Sequence, residues 1–271
     1  NRIFQSLVKK NSNDLIGTFY KHKEDPNFVF LDITSRSSVE KFLSKNRPDL
    51  VFWIAGSKNL KKCEKNWEYA YQINTQPIND YYQIKSKINL DSKLVFFSTD
   101  YVFNGIKGSY KDTDKVDPKT NYGITNKLSE EIIIKENKDD LIIRTSAVMG
   151  KGGTFFDWIN KSLCYEKNVE IYKDIFFSPT PIKLLCEAAE HIIKNNIFGI
   201  VHICGGQRFS RFEFTTNLLN LNKNFSAKVI PINSSGDLNH FQHDLSLIPS
   251  DVCKKFQTKE FLSYIKEELL L

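Results

Sequence analysis

Long apolar runs are absent from this 271-residue chain: no stretch approaches the ~20 residues needed to span a bilayer, and no signal peptide is visible. Paired cysteines are absent as well. The five, at positions 63, 164, 186, 204 and 253, are odd in number, widely spaced and never Cys-x-x-Cys, which excludes a disulfide scaffold and points to reduced thiols in a cytoplasmic protein. There are no internal repeats, no low-complexity tracts and no concentrated block of positive charge. The 38 basic residues are mostly lysines scattered among 32 acids, so the net charge of +6 carries no nucleic-acid signature. Metal ligands are scarce: His240 and His243 stand beside Asp244, without further ligands at a suitable spacing, and no metal site is expected.

What is present is alternation. Ser37 and Glu40 have capping-box spacing ahead of Val39, Phe42 and Leu43, and Pro48-Asp49 closes that helix before the apolar strand Leu50 to Ala55. A helix follows from about Trp67 to Tyr82, then a strand from Leu94 to Phe97, a loop rich in Asp, Lys and Gly, a helix from Tyr122 and a strand from Leu141 to Arg144. Alternation of this kind implies a parallel sheet wound on both sides, an α/β fold whose ligands bind at the carboxyl ends of the strands. Asp32, Ala55 and Ser98 fall at such ends. Trp53, Trp67, Phe96, Phe97, Ile142 and Ile143 read as core. Ser210 with Glu213 reads as a second helix cap, and Thr258 to Leu270 as an amphipathic helix.

The most informative stretch is Leu94-Val-Phe-Phe-Ser-Thr-Asp-Tyr-Val-Phe103, followed by Asn121-Tyr-Gly-Ile-Thr-Asn-Lys127. An apolar run ending in hydroxyls and a carboxylate describes a buried strand opening into a polar pocket, and a helix starting at Tyr122 can reach the same pocket. The unbroken run Ser98 to Phe103 resembles the hallmark of the dTDP-4-dehydrorhamnose reductases, within the extended short-chain dehydrogenase/reductases. That resemblance covers nearly the whole chain. It implies a Rossmann-type domain over residues 1–147 and a smaller α+β substrate lobe over 148–271, with a segment near 182–205 returning to the first domain. It also implies an NAD(P)H-dependent reductase of a keto group on a nucleotide-linked deoxysugar, possible as a homodimer, with neither membrane nor nucleic acid as partner.

Residue roles follow from the same resemblance. Thr99 hydrogen-bonds the substrate carbonyl and Tyr122 donates the proton, while Asp100, Tyr101, Phe103 and Thr180 shape the sugar pocket. Asp32-Ile33 matches the adenine-contacting pair, and Ala55-Gly56, Ser98 and Tyr122 stand at cofactor positions. The end of the second strand reads Tyr20-Lys-His-Lys23 where an NAD-preferring fold usually carries an acid, so Lys21 and Lys23 lean the cofactor towards NADP over NAD. Solvated surface charge is the alternative for those lysines. The family's Thr-x-Val-Asp is Lys58-Asn-Leu-Lys61 here, and its Arg-Pro is absent around Asn239-His240-Phe241, so the sugar itself stays open.

Two departures matter for chemistry. The family signature Tyr-x-x-x-Lys fails by one place, because four residues after Tyr122 stands Asn126 and Lys127 is one late. Four residues at about 100° each return a side chain to within about 40° of its starting face, whereas five leave it about 140° away. Asn126 offers a hydrogen bond but no charge. A one-residue shift at the helix start, rotating Lys127 inward, is the alternative, and a cofactor-binding regulatory subunit without turnover is the alternative at the level of function. The second departure is at the amino terminus. Apolar residues at 3, 4, 7 and 8 read as the first helix and Leu15 to Tyr20 as the second strand, so the Gly-rich first turn that cradles a pyrophosphate is expected before Asn1. A natural protein lacking that strand is the other reading.

Overall fold

The computed structural model describes residues 15–23, 25–234, 242–258 and 261–269. The expected helix near residues 3–8 and the positions 239–241 lie outside them. A short parallel pair, β1 (Thr18–Phe19) and β2 (Val29–Phe30), comes first and is not hydrogen-bonded to the main sheet. The main sheet has four parallel strands in the order β10-β5-β4-β3, formed by β3 (Leu50–Trp53), β4 (Lys93–Thr99), β5 (Leu141–Thr145) and β10 (Gly199–His202). Every neighbour in it is parallel, with Phe96 opposite Trp53 and Ile142, and Val201 opposite Ile143. Near-continuous apolar strands of this kind are those buried on both faces.

Helices supply the two covers. On one face α1 (Arg36–Asn46), α4 (Gln76–Lys87) and α5 (Asn121–Glu136) pack Val39, Leu43, Ile78, Tyr81, Ile84 and Ile133 on Trp53, Leu94, Phe96 and Ile142. On the other, α7 (Ile182–Lys194) lays Leu184, Leu185, Ala188, Ala189 and Ile192 on Val95, Ile143 and Val201. The doubly wound α/β architecture is therefore present, and the chain from 182 onward contributes both a covering helix and the edge strand β10. Between β3 and α4 lie α2 (Leu60–Lys65) and α3 (Trp67–Asn74). One helix was expected from 67 to 82. It breaks at Thr75, the N-cap of α4, with Pro77, lacking an N–H, in the first turn of the new helix.

The strands outside the main sheet, from residue 148 onward, pair two by two. β6 (Val148–Met149) pairs with β9 (Thr180–Pro181), β7 (Asn168–Tyr172) with β12 (Lys228–Ile232), and β8 (Phe176–Phe177) antiparallel with β11 (Phe209–Ser210). They enclose a third core with α6 (Thr154–Tyr165), α8 (Arg211–Leu221) and α9 (Phe261–Leu269), built on Met149, Phe156, Phe177, Phe214, Leu218 and Phe261. Ser210 and Glu213 form the expected reciprocal cap of α8. The cap of α1 differs from expectation: Ser35, not Ser37, is the N-cap, accepting from Ser38 N–H. Trp67, expected in the core, is 42% exposed on α3 beside Tyr71. Among the described residues, no helix is long and apolar enough to cross a membrane.

Candidate active site

Strand alternation sorts the hydroxyls at the end of β4. Successive side chains leave a strand on opposite faces, so Ser98 and Thr99 cannot serve the same side. Ser98 turns into the protein and donates to Glu130 Oε1 at 2.5 Å. That carboxylate is also gripped by Arg144, through Nε at 3.0 and 3.3 Å and Nη2 at 2.7 Å. The side chains of this ion pair are only 3% and 2% exposed. The Ser98 hydroxyl, expected at a cofactor position, is thus committed to the strut that ties β4, β5 and α5 together.

Thr99 faces the other way and meets Tyr122. Thr99 ends β4 and its oxygen caps the one-turn helix Asp100–Val102, accepting from Tyr101 N–H at 3.3 Å and donating to Asp100 Oδ1 at 3.1 Å. Tyr122 stands in the first turn of α5, where Thr120 caps Gly123 N–H and Asn121 is fastened to α2 through Glu64 and the Cys63 carbonyl. Gly123 lets that turn approach: a Cβ built there would meet the Tyr101 carbonyl oxygen at 2.1 Å. Burial pushes the Tyr122 phenol up to about 12; Thr99, as its hydrogen-bond partner, pulls against this, and the nearby Asp100 and Cys63 add to the rise. At neutral pH the phenol keeps its proton. Tyr101 meets the Tyr122 ring edge-on at 5.6 Å, and burial raises its hydroxyl too.

Asp100 is buried beneath the pair. Burial lifts its carboxyl to about 6, opposed by donors from Ser146, at 2.6 Å to Oδ2, and Thr99, and by the charge of Arg211. Arg211 was not foreseen. It opens α8, with its guanidinium carbon 4.5 Å from the Phe155 ring centroid and 5.2 Å from that of Phe177.

Two positions expected to line the sugar pocket pack elsewhere. Phe103 is fully buried, its ring stacked on Tyr110 at 4.3 Å and edge-on to His202, because the 104–112 loop and the 242–248 segment close over it. Thr180 is also fully buried, and its hydroxyl is engaged with Thr145 at 3.1 Å and the Ser178 carbonyl. Both have the composition of a pocket wall, yet neighbouring segments bury them.

The helix register resolves the lysine question. Asn126 is buried on the Tyr122 side of α5, but its Nδ2 bends back to the Tyr122 carbonyl at 2.8 Å. Lys127 pairs with Glu131 at 3.2 Å along the outer helix face. The helix runs unbroken from Asn121 to Glu136, so no shift rotates Lys127 inward.

The shelf for a dinucleotide is small-featured. Ala55 and Gly56 are exposed after β3, and Asn74 Oδ1 accepts Ser57 N–H at 2.7 Å, holding the turn where any Gly56 Cβ would stand 3.0 Å from that oxygen. Asp32 follows β2 and folds into a turn with Thr34, with Ile33 half-buried beside it. Lys21 and Lys23 are exposed, lying 5.9 Å from the Tyr20 ring centroid and 5.6 Å from that of Phe19. Small residues beside an open strand end fit the approach of a pyrophosphate-linked cofactor.

Comparison with known proteins shows the family and the fold. The family model described as the RmlD substrate binding domain matches residues 5–241. The spore coat polysaccharide biosynthesis protein SpsK of Bacillus subtilis is 35% identical over 192 residues, covering 70% of this chain and 66%, just under two-thirds, of that protein. A dTDP-4-dehydrorhamnose reductase of Aggregatibacter actinomycetemcomitans is 27% identical over 254 residues, covering 83% and 84%. Among solved structures, a hypothetical dTDP-4-dehydrorhamnose reductase from Sulfolobus tokodaii superposes with a TM-score of 0.84 at 30% identity, covering 97% of this chain and 96% of that one.

Proposed function

Because the chain belongs to the RmlD substrate-binding-domain family, which matches residues 5–241, we propose that it is an NAD(P)H-dependent reductase of a keto group on a nucleotide-linked deoxysugar. The observation that carries this reading is the meeting of the Thr99 hydroxyl and the Tyr122 phenol at the carboxyl end of β4. The nicotinamide, when bound, supplies the hydride. Tyr122, its proton held by burial, delivers that proton to the oxygen of the reduced carbonyl, while Thr99 holds the same oxygen in place. Thr99 donates its one proton to Asp100 Oδ1, so to hold that oxygen the hydroxyl would turn its proton from the carboxylate to the substrate.

Asp32, Ile33, Ala55 and Gly56 would hold the adenosine and pyrophosphate, and Lys21 with Lys23 favours a 2′-phosphate, hence NADP over NAD. Tyr101 would form the sugar-side wall, where its ring borders Tyr122.

The test is NAD(P)H oxidation with dTDP-4-keto-6-deoxysugars. Tyr122→Phe should lower kcat by roughly 10²–10⁴-fold with the fold intact, the range of a general acid–base element. A decrease below about threefold would remove Tyr122 from the reaction. One observation favours a second reading, a cofactor-binding regulatory subunit: the Asn126 amide is bonded to its own helix, and no charge stands in the lysine position. Tight NAD(P)H binding without turnover in either the native protein or Asn126→Lys would select that reading.

A further inference from the structure

A helix is least secure at its first turn, where the amides have no partner within the helix itself. Tyr122 stands in that turn of α5, and the local sequence caps it only in part. The Thr120 oxygen accepts from Gly123 N–H at 3.0 Å, but no acid lies in the turn to meet the positive end of the helix. The acid comes from another helix. Glu64 Oε1, near the end of α2, accepts from Asn121 N–H at 2.6 Å, on the residue directly before Tyr122. Asn121 answers through its side chain, Nδ2 donating to the Cys63 and Glu64 carbonyls, both at 3.2 Å. Three bonds thus latch the carbonyl end of α2 to the amide end of α5.

Glu64 stands where an acid is locally unfavourable. The last turn of α2 carries Lys62 and Lys65, as suits the negative end of a helix, and Glu64 breaks that pattern. Residues that break a local rule while held firmly tend to mark function. What the latch spans gives the function. α2 has six residues and is roughly 9 Å long. It starts just after the Ala55–Gly56 shelf, where the Ser57 hydroxyl accepts from the N–H of the N-cap Asn59 at 3.4 Å. Its other end meets the turn of Tyr122. The bonds of α5 to Asn74 and Thr75 come later along the helix, at Thr125 and Ser129, and Gly123 gauges the turn against Tyr101. Glu64 ties that turn to the segment leaving the cofactor shelf.

We propose that Glu64 is a positioning residue, whose carboxylate, through the Asn121 amide, holds the Tyr122 phenol where it passes its proton to the oxygen of the reduced carbonyl. This rests on the reading of Tyr122 as the general acid. Glu64 itself gives and takes no proton. Proton transfer needs heavy atoms within about 2.6–3.2 Å, and a displacement of about 1 Å can cost on the order of 10²-fold.

The experiment is a double-mutant cycle in NAD(P)H oxidation with dTDP-4-keto-6-deoxysugars, on the native protein, Glu64→Ala, Tyr122→Phe and the pair. Each rate is taken per NADPH-binding site found by titration, so that unfolded protein does not count. Glu64→Ala should lower kcat roughly 10- to 100-fold, with KM and NADPH affinity changed by less than about threefold. In the Tyr122→Phe background the same substitution should lower kcat by less than about threefold, since the phenol it positions is gone. Glu64→Gln, which keeps an acceptor of equal reach, should recover most of the loss, and Glu64→Asp, one methylene short, should not. If Glu64→Ala leaves no protein that binds NADPH, Glu64→Asp takes its place in the cycle. An equal fall in both backgrounds makes Glu64 a structural residue and overturns the inference, as does a kcat for Glu64→Ala within about threefold of the native value; the reductase reading stands in either case. A native protein without turnover, or Tyr122→Phe as fast as the native protein, removes the reading of Tyr122 as acid and this inference with it.

Discussion

Removal of Glu130 isolates the buried strut behind the active site. Arg144 has four hydrogen-bond contacts, three to the Glu130 carboxylate and one from Nη1 to the Asp112 carbonyl at 3.3 Å. In Glu130→Ala three vanish, and a guanidinium only 3% exposed is left with a single carbonyl. Breaking a buried pair from one side costs about 3–5 kcal/mol, because the remaining charge is stranded. Ser98 loses its acceptor at the same time, adding about 1 kcal/mol. At about 2–4 °C per kcal/mol for a chain of this size, the melting temperature should fall by roughly 8–24 °C. The assay is calorimetric or circular-dichroism melting, with Lys127→Ala as the exposed control. That surface pair, along the same helix, should be worth about 0–1 kcal/mol. A Glu130→Met/Arg144→Met double variant should recover most of the loss, since an apolar pair strands no charge. A Glu130→Ala loss below about 1 kcal/mol would refute the reasoning, for it would mean that Arg144 reaches water and that the strut behaves like a surface pair.

Two further outcomes follow from charge. In Asn126→Lys, a cation roughly 5 Å from the phenol at an effective dielectric of about 20 is worth about 3 kcal/mol, or about two pK units. The basic limb of the pH–rate profile should therefore move from about 12 towards about 10, and an unmoved limb would show that position 126 does not address Tyr122. His202 is fully buried, and burial, with Arg144 nearby, pushes its ring from 6.5 down to about 4, opposed by Asp112 and by the Ile248 and Tyr110 carbonyls. A depressed folded value means the neutral ring is favoured in the fold, so this stability is present above pH 6.5 and lost as pH falls towards about 4. Asp100, raised to about 6, works with the opposite sign, its contribution present below 3.8 and lost as pH rises through about 6. Melting of His202→Gln against the native protein should show a shallower loss between pH 6.5 and 4; parallel curves would remove His202 from the acid response.

Much of the frame was legible because it is written in short-range pattern. Apolar runs with period-one burial declared β4 and β5, and Ser210 with Glu213 declared the start of α8, since a reciprocal cap is a local event. Thr99 and Tyr122 were legible through the motif in which they stand. Other features are decided by tertiary contacts. Thr34, Ser35, Ser37 and Ser38 all offer cap oxygens, and sequence spacing does not choose Ser35. Phe103 and Thr180 have the right chemistry for a pocket wall, but whether a ring or a hydroxyl meets ligand or protein depends on segments far along the chain. Glu130 and Arg144 left a signal of their own: an arginine inside the apolar strand Leu141–Thr145 needs a buried partner. Arg211 left only its misfit with the helix dipole.

The contact between Gly123 and the Tyr101 carbonyl has an implication for anyone surveying this protein by substitution. The spacing between the Tyr122 phenol and the Thr99 hydroxyl is gauged there by main chain lying on main chain, so even a single methyl would act as a wedge, prising the two apart before either side chain had been altered. A position without a side chain of its own would then score as indispensable, and its sensitivity would measure clearance rather than chemistry.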